Sequence, residues 1–139
     1  MHMLFQLEAA LIIAIVSVIV LAVIMFLIGM KVMQWYAKKK TWDPSLKTAF
    51  LVNLVLLLIG IPIGILFSFL FEPNIAVDLL RFGIDIIIGT FLVMILYKKK
   101  FEESLVFMIV VEVILFLIAL AIGFILGIFL AIIILGVML

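Results

Sequence analysis

FEESLVFMIVVEVILFLIALAIGFILG, residues Phe101–Gly127, is apolar enough to cross a bilayer yet carries a carboxylate, Glu112, inside the span. Further along it, Ala119, Gly123 and Gly127 stand four residues apart. On a helix that spacing stacks small side chains on one face, where another helix can approach closely. An earlier stretch, Ser45–Phe71 (SLKTAFLVNLVLLLIGIPIGILFSFLF), reads as a second version of the first. An ungapped offset pairs Gly60, Gly64 and Ser68 with Ala119, Gly123 and Gly127, and pairs Asn53 with Glu112. Tyr36-Ala37-Lys38-Lys39-Lys40 precedes one stretch as Tyr97-Lys98-Lys99-Lys100 precedes the other. The pattern predicts a duplication: two parallel helical-hairpin repeats, about residues 4–71 and 75–139, related by an axis along the membrane normal. Positive turns and small-residue stripes also recur in unrelated membrane hairpins, so a chance likeness is the competing explanation.

The composition fixes the class. Of 139 residues, 71% are hydrophobic and only 12% charged, against about 45–50% apolar in an ordinary globular domain. A soluble fold is excluded, and the expected architecture is an all-α integral membrane protein, a single four-transmembrane-helix domain over residues 1–139. The chain has no cysteine, which removes disulfide, zinc-thiolate and thiol chemistry. The opening MHMLFQLE has neither a basic n-region nor a following A-x-A pattern, so the first apolar run reads as a retained span.

About 20 apolar residues cross the hydrocarbon core as a helix, and four segments qualify. The first covers about Ala9–Met30 and continues helically to Tyr36, with Trp35 and Tyr36 suited to the interfacial aromatic belt. Asp43-Pro44 in the turn that follows reads as an N-cap with proline at the first helical position. The second span, about Ser45–Phe71, contains Pro62, which should kink it or loosen its hydrogen bonds. The third covers about Ile75–Tyr97 and carries Asp78, Arg81 and Asp85. The last apolar run, Leu105–Leu139, would be about 52 Å long as one helix, against a core of about 30 Å. Its end, around Gly127–Leu139, is expected in the outer interface or against a partner.

Of the nine Lys and Arg, all but Arg81 fall in or beside the first and third loops. The positive-inside rule then makes those loops cytoplasmic, in a plasma (inner) membrane, with both termini outside. Lys38, Lys39, Lys40, Lys98, Lys99 and Lys100 serve as topology determinants that also attract anionic lipid headgroups.

Charge near the bilayer centre costs about 2.5–3.5 kcal/mol on insertion scales, so such residues are functional candidates. Glu112 and Asn53 each lie about 15 Å from their basic turns, and Asp85 about 18 Å, at 1.5 Å per residue. Asn53 shares a helix face with Gly60, and Glu112 with Ala119. If the second and fourth spans pack through those faces, with the first and third flanking, Asn53 and Glu112 meet. Arg81 is one turn before Asp85 and is expected to neutralise it.

Two functions remain open. Asp85, Glu112, Asn53 and Arg81 could handle a proton or cation in a channel or transporter subunit. Alternatively they only join helices in a non-catalytic scaffold or accessory subunit. No catalytic constellation, metal set, cofactor motif or nucleic-acid signature is legible. The small protomer suggests a homo-oligomer or membership of a larger membrane complex.

Overall fold

Turn chemistry sets where each helix begins. Ser45 caps the second helix, its hydroxyl accepting the Thr48 N–H at 3.4 Å. Asp43 is displaced from the expected cap. Its Oδ1 accepts the Ser45 N–H at 3.0 Å and its Oδ2 accepts the Thr48 hydroxyl at 2.6 Å. The short carboxylate is engaged in closing a turn of its own, and the helix starts beyond Pro44. Asn74 caps the third helix by accepting the Val77 N–H at 2.9 Å.

A computed structural model describes residues 1–139. It consists of four helices: α1 His2–Lys39, α2 Leu46–Leu70, α3 Ile75–Leu96 and α4 Phe101–Met138. Each is long and apolar enough to cross a membrane, and the protein is an all-α integral membrane protein. The helix α2 passes through Pro62 without interruption, although proline leaves the Leu58 carbonyl without its helical donor. Both α1 and α4 have 38 residues, against 25 and 22 for α2 and α3.

The helices form a ring in which α1 meets α2, α2 meets α3, α3 meets α4 and α4 meets α1. Helices α2 and α4 stand on a diagonal, with no close approach of their backbones. The expected central contact between the second and fourth spans is therefore wrong. Small side chains permit close approach, but they do not select the neighbour, and short hairpin turns place sequential helices side by side instead.

Packing is concentrated at the end that carries the basic turns. Met33, Ala37, Ala49, Val52, Val93, Phe107, Met108 and Val111 are all at most 1% exposed and form one cluster. Gly89 makes room there for the Met108 side chain, which would have to move away from a Cβ at that position. Phe107 gathers the aromatic rings of three other segments, with centroids 5.2 Å from Tyr36, 4.8 Å from Trp42 and 5.5 Å from Tyr97. Tyr36 is thus tucked into this cluster, whereas its neighbour Trp35 is exposed. Beside the cluster, the buried hydroxyls of Tyr97 and Ser104 find no hydrogen-bond partner within the chain. Toward the opposite end the helices part. All of α1 through Ile24 and all of α4 from Gly123 onward is exposed to the surroundings of the chain.

Candidate functional site: a polar chamber among the four helices

Immediately beyond the packed cluster the four helices line an open chamber of about 520 Å³. Asn53 follows buried Val52 on α2, and Glu112 follows buried Val111 on α4, so each polar side chain sits where packing gives way to space. Helix α3 contributes Arg81 and Asp85, one turn apart, while α1 lines its side with apolar residues including Met25 and Phe26. All four polar residues singled out in the sequence thus border one chamber. Glu112 lies about 16 Å along α4 from Phe101 at 1.5 Å per residue.

The bonds inside the chamber differ from those expected. Asn53 does not bond Glu112. Its Nδ2 donates to its own helix at the Ala49 carbonyl, 2.8 Å away, and approaches Met33 Sδ at 3.5 Å. The diagonal placement of α2 and α4 explains the missing pair. Gly29 of α1 makes room for the amide, since a Cβ there would stand 3.0 Å from Asn53 Oδ1.

Arg81 does not close on Asp85 either. It crosses to α2 and donates from Nη2 to the Gly60 carbonyl at 3.4 Å. Gly64 provides the slot, because a Cβ on it would come within 2.8 Å of the guanidinium. A long arginine chain can reach a neighbouring helix as readily as its own next turn, and the missing side chain of Gly64 decides the direction. Neither Asp85 nor Glu112 has a hydrogen-bond or ion-pair partner in the chain.

The small-residue stripes also have other uses than the expected helix contact. Gly60 and Ala119 border the chamber. Gly123 and Gly127 have open space where a Cβ would stand. Ser68 turns its hydroxyl back to the Gly64 carbonyl at 2.8 Å. Within the stripes only Gly64 meets a close neighbour, Arg81, and the close approaches at Gly29 and Gly89 are not evident from the sequence, because isolated glycines in apolar helices carry no spacing signal.

At the basic end, Lys39 lies 4.6 Å from the Trp35 ring centroid, and Lys40 lies 5.4 Å from that of Tyr36. In the adjoining turn the Thr48 hydroxyl and the Ser45 N–H hold the Asp43 carboxyl below its ordinary range. No protein-family model matches the chain, and no curated protein or solved structure is similar to it.

Proposed function

We propose that the chamber binds a proton or a small monovalent cation, and that the protein is a channel or transporter subunit. The observation that carries this reading is the pair of carboxylates, Asp85 and Glu112, bordering one chamber without a partner in the chain. Were these groups only joining helices, Glu112 would be expected in a bond to Asn53, and Asn53 is bonded elsewhere. A carboxylate held at this depth at a cost of about 2.5–3.5 kcal/mol is favoured when a proton or cation neutralises it. Two carboxylates, rather than a cluster of three or more acidic or histidine groups, suit a proton or monovalent ion better than a divalent one. The Met33–Val52–Val93–Met108–Val111 cluster closes the chamber on the basic side, so transport requires that cluster to part. The lysine turns orient that side to the cytoplasm, with both termini outside, in the plasma membrane.

The alternative is a scaffold or accessory subunit without transport. The uncovered ends of α1 and α4 favour it, since they leave apolar surface for another membrane protein or a second copy.

Proton and cation flux into liposomes separates the two. We expect flux from the native protein and a loss of about tenfold or more, equivalent to about 1.4 kcal/mol, in Glu112→Gln and Asp85→Asn. No native flux, with both variants equally stable, would leave the scaffold.

We also infer the hairpin duplication. Buried Gly29, Met30, Met33 and Ala37 in the first hairpin recur in spacing as Gly89, Thr90, Val93 and Tyr97 in the second. Ala49 and Val52 likewise correspond to Met108 and Val111. Divergent helix axes on superposing residues 29–60 onto 89–119 would count against it.

A further inference from the structure

The two basic turns meet over a single indole. Lys40 Nζ lies 5.2 Å and Lys99 Nζ 5.3 Å from the Trp42 ring centroid. Trp42 is also stacked on fully buried Phe107 at 21° between ring planes and lies 5.8 Å from the Tyr97 ring centroid. Around it, Lys40, Thr41, Lys99 and Glu103 complete the lining of a depression of about 390 Å³. Neither ammonium is held by a carboxylate within the chain. The ring face attracts each cation, but the two cations repel each other, and an anion between them would convert that repulsion into attraction.

The backbone is unusual at the same place. Thr41 has φ 61° and Lys98 φ 56°, both in the left-handed region. For a β-branched residue such as Thr41 that conformation is a genuine outlier. One such residue adjoins each of the two lysines, and strained backbone of this kind collects at ligand sites.

We propose that this depression binds the phosphate of an anionic phospholipid headgroup, held by Lys40 and Lys99 above Trp42. A lipid is the source because the depression sits where the apolar helices end and where tryptophan and tyrosine lie at headgroup level. Glu103 on the rim opposes a second negative charge, so the site selects a phospholipid of net charge −1 whose headgroup hydroxyls can donate to Glu103. Bound there, one lipid touches both hairpins. The site does not depend on what the chamber carries.

Native mass spectrometry of the full chain in detergent micelles tests it, with phosphatidylglycerol, phosphatidylcholine and inorganic phosphate as probes. At about fivefold per lysine, phosphatidylglycerol should be held about 25-fold more tightly than phosphatidylcholine. Lys40→Gln with Lys99→Gln should erase the preference, and Lys40→Arg with Lys99→Arg should keep it. Lys38→Gln with Lys100→Gln removes the same charge from the same turns and should leave most of it. Equal losses in the two glutamine pairs would overturn the site in favour of diffuse attraction. Displacement of the lipid by inorganic phosphate at equal concentration would overturn the lipid assignment. No preference over phosphatidylcholine would overturn both.

Discussion

Phe107 and Phe124 belong to the same helix and are equally apolar, but the first is fully buried and the second is 71% exposed. Around Phe107 four segments converge on a dense cluster, while around Phe124 the chain offers no cover. In a bilayer, lipid tails are as apolar as the side chains, so hydrophobicity alone does not bring helices together. Shape and hydrogen bonding do. The basic end has complementary shape, in the glycine openings at 29 and 89 and in the aromatic stack under Trp42. The opposite end has apolar surface without complementary shape, and the chamber lies between the two regimes.

The comparison can be broken most directly by removing Phe107. Phe107→Ala should cost about 3–5 kcal/mol, read as unfolding in mixed detergent micelles, whereas Phe124→Ala should stay within about 0.5 kcal/mol. A large effect at Phe124 would reveal a cover supplied by something other than this chain. Glycines sharpen the same contrast. Gly89→Ala forces Met108 out of place and should lose about 1–3 kcal/mol, while Gly123→Ala meets open space and should gain up to about 1 kcal/mol from helix propensity. Gly123→Leu should be tolerated in the isolated chain, and a shift to smaller assemblies in gel filtration would identify that face as an oligomer contact.

The smallest effect concerns the turn that starts α2. The folded chain holds the Asp43 carboxyl below its ordinary value of 3.8. Its contribution is therefore complete above that value and is lost as pH falls through the lower folded one. Unfolding midpoints should be unaffected by Asp43 between pH 7 and 5 and should fall slightly toward pH 3. Asp43→Asn should remove that part of the acid dependence.

Hydropathy and loop charge made the four helices legible, because a membrane span is a length-and-composition signal that does not depend on its neighbours. Depth along each helix was enough to gather Asn53, Asp85 and Glu112 at one level, and the structure adds Arg81 to them. Their bonds were not legible, since Asn53 and Arg81 choose partners according to which helix stands beside them and where a glycine opens space. The stripe from Ala119 to Gly127 suggested a partner helix that this chain does not supply. Trp42, in a turn with no periodicity, gave no hint that it would rest on Phe107, sixty-five positions along the chain.

The length of α4 has a further consequence. Its apolar run of about 52 Å would need a tilt of about 55° to fit a core of about 30 Å, beyond the roughly 0–40° found for membrane helices. Held to α1 and α3 at its basic end, α4 cannot lean that far independently. Where no partner covers its free end, the mismatch is met by bilayer thickening around that end or by its bending along the surface. Either response makes acyl-chain length a variable that acts on this protein.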